Sequence, residues 1–322
     1  MRKVALKTSR DKKKKMISFI FPMYNEEGNV MLLYNAICDV IKQIPQYKTE
    51  LIFINDYSTD NTLLLVQKLA NKDPRIKIIA FAKNFGHQIA VTAGQDIAKG
   101  DAVIIMDSDL QDPPEVALEL IQKWEEGYDV VSAQRRRYKT HFIKEKSAWL
   151  FYRILRKISN VEIPVDTGDF RLLSKRVNDE MKKYKEHSRF LRGISSLIGF
   201  KQVCVPFDRK NRIHGKTGYT FFKSLKLAFD GITGFSVAPI RLISLIGGTL
   251  SALSFMIGFS YVIISVINKA NISGWASIIT AIFFLGGIQL LMLGILGEYI
   301  GRIFIESLNR PLYTIDHEES HL

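Results

Sequence analysis

From residue 16 to about 133, short apolar runs alternate with longer stretches whose apolar residues recur at helical spacing. The runs 17–21, 51–54, 76–81, 102–106 and 130–133 are rich in β-branched and aromatic residues and predict buried strands. Between them, 30–44, 62–71, 88–98 and 114–126 carry the spacing of amphipathic helices. This alternation predicts an α/β, mostly parallel sheet wound with right-handed crossovers. No Gly-x-Gly-x-x-Gly follows the first run. The chain reads Pro22-Met23-Tyr24-Asn25-Glu26-Glu27 there, so the usual dinucleotide fingerprint is missing.

The pattern then changes twice. From 135 to 216 charge density rises, with Arg135-Arg136-Arg137 and Asp208-Arg209-Lys210-Asn211-Arg212, as expected of a substrate-facing extension of the first unit. Residues 242–267 and 270–297 hold no charged residue at all. Each is longer than the roughly 20 residues that cross a hydrocarbon core. A short polar link separates them, which predicts a transmembrane hairpin, with Trp275 and Tyr299 near the interfaces. The link carries one lysine, whereas Arg241, Arg302 and Arg310 lie on the other side, so the positive-inside rule puts both termini and the sheet domain in the cytoplasm. Residues 219–235 combine Phe221, Phe222, Leu225 and Phe229 with Lys223 and Lys226; they suit an interfacial helix or a plain connector. The expected organisation is a basic leader (1–15), a sheet domain (16–217), a juxtamembrane amphipathic segment (218–238), a hairpin (239–304, spans about 242–267 and 275–300) and a cytoplasmic tail (305–322).

Composition adds the partner class. The 322 residues carry a formal net charge of +13, which suits an anionic partner: nucleic acid, an anionic membrane surface or a phosphorylated substrate. Two membrane spans disfavour nucleic acid. The two cysteines, Cys38 and Cys204, lack metal-type spacing, so a disulfide framework is not expected and a reducing compartment fits. Lys12 to Lys15 form a solvated or headgroup-attracting run. The leader has no apolar segment of the secretory kind. His317 and His321 lie in a polar tail and read as solvated.

The candidate chemistry sits at strand exits. Asp107-Ser108-Asp109-Leu110-Gln111-Asp112 ends the fourth run, Pro22 to Glu27 the first, and Asn55-Asp56-Tyr57-Ser58-Thr59-Asp60 the second. In open α/β sheets the carboxyl edge is where ligands bind. Two carboxylates one residue apart suit a divalent metal, which can hold a diphosphate. Alone, they equally suit an acidic loop that ends a strand and caps a helix.

Together with Lys83-Asn84-Phe85-Gly86, Gly168-Asp169-Phe170-Arg171-Leu172 and Leu296-Gly297-Glu298-Tyr299-Ile300-Gly301-Arg302, these segments resemble the inverting family 2 glycosyltransferases of GT-A fold. Within them the chain is most similar to polyprenyl-phosphate glycosyltransferases: bacterial bactoprenol glucosyltransferases and, more distantly, dolichol-phosphate mannose synthases. The resemblance runs from Met16 to about Tyr313. It implies transfer of a hexose, glucose first, from a UDP-sugar to undecaprenyl phosphate at the cytoplasmic membrane face, for modification of a cell-surface glycan. UDP-N-acetylglucosamine, UDP-galactose and a modified aminopentose are alternative donors. It implies that Pro22, Tyr24, Asn25, Glu26, Asp56, Lys83, Asp107, Asp109 and Arg135 bind the nucleotide sugar. Asp109, Gln111 and Asp107 would hold Mg2+ or Mn2+, and Arg209, Arg212 and Lys216 would meet the lipid phosphate or the diphosphate. Asp169 matches the position of a proposed catalytic aspartate, with Asp107 beside it. A lipid monophosphate has a second pKa of about 6, however, so it is already largely anionic at neutral pH and needs little help from a base. Glu298 and Arg302, four apart, can pair or help receive the lipid phosphate, and Gly297 with Gly301 permits close helix contact, including between subunits of a homo-oligomer. A downstream flippase and a second transferase are implied partners. A processive polysaccharide synthase would carry a Gln-x-x-Arg-Trp segment that the sequence lacks, and a non-catalytic membrane scaffold would not need the intact acidic pair.

Overall fold

The computed structural model describes residues 14–136, 167–187, 189–208, 238–268 and 274–322. The expected interfacial helix, the leader up to residue 13 and the 269–273 link lie outside these residues. The described residues form two compact units: one carries every strand and takes back Pro311–Leu322, the other holds two long helices.

In the first unit, β1 (Met16–Met23), β2 (Lys48–Asn55), β3 (Ile76–Phe81), β4 (Ala102–Ile105) and β5 (Val130–Arg135) alternate with α1 (Val30–Lys42), α2 (Thr62–Ala70), α3 (His87–Ile97) and α4 (Val116–Glu125), matching the periodicity closely. β6 (Thr167–Ser174), α5 (Lys175–Met181), α6 (Leu191–Leu197) and β7 (Gln202–Phe207) follow. The strands join one sheet in the order β7-β5-β6-β4-β1-β2-β3-β8, where β8 (Ile315–His321) comes from the C-terminal tail. β4, β1, β2 and β3 run parallel, as helical crossovers require, while β6 is antiparallel to both of its neighbours. The charged 135–216 region is therefore more than an extension, because β6 is a central strand buried at every position. The C-terminal tail also differs from expectation. Its histidines are exposed, yet the segment is an antiparallel edge strand on β3.

β1 is buried on both faces, as a strand under two helical layers must be, and its one polar residue needs a partner. Ser18 Oγ donates to Glu50 Oε1 at 2.5 Å and accepts from the Gly100 N–H at 2.8 Å. Burial pushes the Glu50 carboxyl up, but Lys77, Ser18 and the Lys99 N–H outweigh it and leave it below its ordinary value. A Cβ at Gly100 would lie 2.5 Å from Ser18 Oγ and 2.6 Å from the Ala102 carbonyl oxygen. Gly100→Ala is therefore expected to destabilise the sheet unit by about 1–3 kcal/mol, read as a lower midpoint in thermal unfolding.

In the second unit, α7 (Ala238–Asn268) and α8 (Trp275–Ser307) are the two helices of the expected hairpin. Phe284–Ser307 of α8 is long and apolar enough to cross a membrane, with mean hydropathy 1.6. The apolar stretch found in α7 is the shorter Ile243–Ser254. Glu298 and Arg302 do pair, at 3.0 Å. A Cβ at Gly297 or Gly301 would meet nothing within 4 Å, so that step presents an open surface.

Candidate active site

The strand order reverses at β1. The chain winds β1, β2, β3 to one side and then returns to lay β4 on the other, which makes the β1/β4 carboxyl edge the topological switch point. Ser108 ties the two exits together, its Oγ donating to the Pro22 carbonyl at 2.8 Å. The exits of β1 and β2 are zipped as well. The Asn25 N–H donates to Ser58 Oγ at 3.0 Å, Asn25 Oδ1 accepts from the Thr59 N–H at 2.8 Å, and the Glu26 N–H donates to Thr62 Oγ1 at 2.8 Å. Tyr24 and Tyr57, from these two exits, stay half exposed. Among the described residues, three of the four non-glycine residues with positive φ fall on the exits of β1, β2 and β4: Asn25 (56°), Tyr57 (62°) and Leu110 (55°). Asparagine tolerates that conformation, but Tyr57 and Leu110 are strained there, and such strain concentrates at functional sites.

A second group converges on Asp169, whose side chain is 8% exposed. Asp169 Oδ1 accepts from Arg192 Nε at 2.9 Å, and its Oδ2 lies 3.1 Å from both His87 Nε2 and Gln88 Nε2. Arg171, buried behind it, donates to Ser195 Oγ at 2.8 Å and to the Gly168 carbonyl at 2.9 Å, with one nitrogen 3.6 Å from Asp169 Oδ1. Burial pushes the Asp169 carboxyl up, but Arg192 and the His87 hydrogen bond hold it well below the usual range. His87 also lies 3.5 Å from Asp107 Oδ1, so its ring stands between two carboxylates. Burial lowers its pKa, and the hydrogen bond to Asp169 and the charge of Asp107 raise it more, to about 9. Asp107 moves up, first through burial and then through Asp169, Asp112 and Asp109, despite the opposing pull of His87.

The expected site residues divide accordingly. Asp107 and Asp169 are brought to one ring, His87. Pro22, Tyr24, Asn25 and Glu26 form the β1 exit against that of β2. Asp56 is buried, and both its oxygens accept backbone N–H groups, Phe85 at 2.7 Å and Gly86 at 2.9 Å; it shapes the turn that begins α3 and presents His87. Lys83 is exposed on that same turn, over the Phe85 ring at 5.0 Å. Asp109 Oδ1 accepts the Gln111 N–H at 3.1 Å, closing an Asx turn. Arg135 pairs with buried Asp112 at 3.2 Å and passes over Gly168, where a Cβ would sit 3.0 Å from the guanidinium. Arg209, Arg212 and Lys216 lie outside the described residues. Sequence reasoning missed His87, Gln88 and Arg192. The first two follow directly on the quoted Lys83 to Gly86 segment and were within reach; nothing around Arg192 marks it.

Two atoms bear on what the site could hold. Asp107 Oδ1 and Arg135 Nε are buried without a hydrogen-bond partner among the described residues, one an acceptor and the other a donor. Among the described residues, no three His, Cys, Asp or Glu are grouped to hold a metal by themselves. The acidic pair instead fits the mode in which one or two carboxylates hold Mg2+ and substrate phosphates supply further ligands.

A family model described as "Glycosyl transferase family 2" matches residues 18–182, the part that builds this crevice. The chain belongs to glycosyl transferase family 2. A second model, the "GtrB C-terminal hairpin", matches 238–303, the two long helices of this GT-A transferase. Curated relatives include the "Uncharacterized glycosyltransferase YkcC" of Bacillus subtilis (strain 168), 45% identical over 92% of this chain and 92% of its own. The "Bactoprenol glucosyl transferase" of Shigella phage SfV is 40% identical over 94% of this chain and 99% of its own. Among solved structures, the mannosyltransferase PcManGT from Pyrobaculum calidifontis in complex with GDP-Man and Mn2+ is similar over 92% of this chain and 88% of that one, with 14% identity and a TM-score of 0.47.

Proposed function

We propose that this family 2 transferase moves a hexose, glucose first, from a UDP-sugar to undecaprenyl phosphate. The observation that carries the reading is the 40% identity to a bactoprenol glucosyl transferase, which extends across the sheet domain and the hairpin alike. In the reaction, an oxygen of the acceptor phosphate forms a bond to the anomeric carbon while the bond from that carbon to the UDP oxygen breaks. The electron pair leaves with UDP, and the anomeric centre inverts.

The demands on the protein are in-line placement and stabilisation of the leaving diphosphate. Pro22, Tyr24, Asn25 and Glu26 hold the nucleoside, with Asp56 and Lys83 acting from the turn that borders the crevice. Asp107 and Asp109, with Gln111, would hold Mg2+ or Mn2+, which when bound would supply positive charge to the leaving diphosphate. Arg135 offers its unpartnered Nε to a donor phosphate. Asp169 is tied to Arg192, Gln88 and His87 and orients the reacting groups. Arg209, Arg212 and Lys216 receive the lipid phosphate.

The hairpin spans the membrane twice, with the sheet domain and both termini cytoplasmic, supported by the single lysine in the link against Arg241, Arg302 and Arg310 outside it. The acceptor's tail then stays in the bilayer while the donor arrives from water. The protein would act as an oligomer, and its product would pass to a flippase and a second transferase.

The test is direct: purified full-length protein with Mg2+, undecaprenyl phosphate and a panel of UDP-sugars, with the lipid product identified by mass. A hexosyl phospholipid from UDP-glucose is expected, and absence of lipid product with every donor would overturn the reading. Product from UDP-N-acetylglucosamine or UDP-galactose alone would replace the sugar and keep the reaction. In the same assay, Asp109→Ala should lower turnover roughly 100-fold, comparable to losing one electrostatic stabiliser of a transition state, and excess EDTA should do as much.

A further inference from the structure

The polar C-terminal tail is built into the support of the catalytic crevice. β8 pairs with β3 at Phe81↔Ile315 and Ala80↔Asp316, and the pairing is extended by the Ala82 N–H donating to the Thr314 carbonyl at 3.1 Å. Just before it, Tyr313 stacks on Phe81 with centroids 5.3 Å apart and planes 28° apart. Phe81 in turn meets Phe85 edge-on, also at 5.3 Å. Phe85 belongs to the turn that Asp56 clamps through the Phe85 and Gly86 N–H groups, and His87 follows at once. The other end of Tyr313 reaches the last turn of α3, its hydroxyl donating to Asp96 Oδ2 at 2.9 Å. One side chain from the tail thus supports the turn before α3 and is tied to the end of that helix.

We propose that Tyr313 is a positioning residue for this crevice: through Phe81 and Phe85 it holds the turn that presents His87 to Asp107 and Asp169. Aromatic pairs of this geometry stabilise beyond the area they bury, and here they brace an otherwise exposed turn. The β1 and β2 exits that hold the nucleoside are tied to each other by Asn25 with Ser58 and Thr59 and by Glu26 with Thr62, so the 82–87 turn reaches the donor only through Asp56 and Lys83 at its border. The consequence is a defect chiefly in turnover, with donor binding changed little.

The kinetic arm rests on the glycosyl transfer proposed above, and the exchange arm does not. In the full-length protein, Tyr313→Ala should speed amide hydrogen exchange at residues 82–87, including the Phe85 and Gly86 N–H groups that Asp56 holds. With UDP-glucose and undecaprenyl phosphate its kcat should fall about 10-fold while KM for the donor stays within about twofold, the signature of lost placement. Tyr313→Phe keeps the stack, gives up the Asp96 bond, and should restore both readouts. Wild-type exchange at 82–87 in a folded Tyr313→Ala protein overturns the proposal whatever the activity. An unchanged kcat does so as well, and so does a rise in KM with kcat intact. If the alanine variant fails to fold, Phe85→Leu, which cuts the same chain of rings one link later, should give the same split. Absence of activity in the wild-type protein would count against the proposed reaction alone, because the exchange arm still decides the role of Tyr313.

Discussion

Asp169→Asn should lower kcat about 1,000-fold, within the range seen when a preorganised electrostatic group is removed from an active site. The carboxylate receives Arg192 Nε at 2.9 Å and stands 3.1 Å from both Gln88 Nε2 and His87 Nε2. An amide offers one acceptor oxygen and would turn its NH2 toward donors. Held well below the ordinary carboxylate range by Arg192 and His87, Asp169 is a poor proton acceptor at neutral pH. The acceptor phosphate, with a second pKa of about 6, does not need one. What the substitution removes is placement of His87 and Arg192 and the charge that balances them. Asp169→Glu separates the two explanations, since a longer carboxylate would retain part of a base's function but cannot sit on three fixed donors. Steady-state kinetics at saturating acceptor should find Asp169→Glu nearly as slow as Asp169→Asn. A glutamate variant within about tenfold of wild type would point to proton transfer as the role of this position.

The parallel half of the sheet was legible because each of its strands is a short apolar run under two helical layers, and each intervening helix shows one apolar face. β6 was not legible. Its sequence, Thr167 to Ser174, carries Asp169 and Arg171 in a strand with no exposed position, and these two charges, which neutralise each other in the fold, look like surface residues in the sequence. β8 escaped for the opposite reason. Ile315 to His321 is polar because it is an edge strand whose outward positions meet water, and its pairing partner is distant in the chain. In the site, Asp107, Asp109 and Asp169 could be named because carboxylates at strand exits carry a recognisable chemistry. His87 and Arg192 act through contacts made only by folding: the histidine begins α3 and the arginine lies on α6, and both reach a carboxylate on β6.

Arg171→Met should cost the sheet unit about 3–5 kcal/mol, the usual penalty for breaking a buried charge pair by removing one partner. The guanidinium is 3% exposed and lies in mid-sheet, on a strand hydrogen-bonded to β4 on one side and β5 on the other. Burial brings its pKa down to about 10, against the support of Asp169, so it is still a cation at neutral pH. Methionine fills much of the volume but leaves the Gly168 carbonyl without its 2.9 Å donor and takes from Ser195 Oγ the one at 2.8 Å. It also removes one of the two guanidinium groups beside Asp169, leaving Arg192 to balance that carboxylate. For a unit of this size the loss corresponds to a fall in Tm of roughly 6–20 °C. Arg171→Lys should recover little, because a single ammonium cannot span the Ser195 hydroxyl and the Gly168 carbonyl as the planar fork does. Thermal unfolding of the full-length protein in detergent checks both, with Asp169→Asn as the comparison. The asparagine keeps part of the hydrogen bonding and should unfold at a higher temperature than Arg171→Met while turning over just as poorly. A Tm for Arg171→Met within about 2 °C of wild type would show that this buried cation is not needed for the sheet and is kept for the chemistry of Asp169 alone.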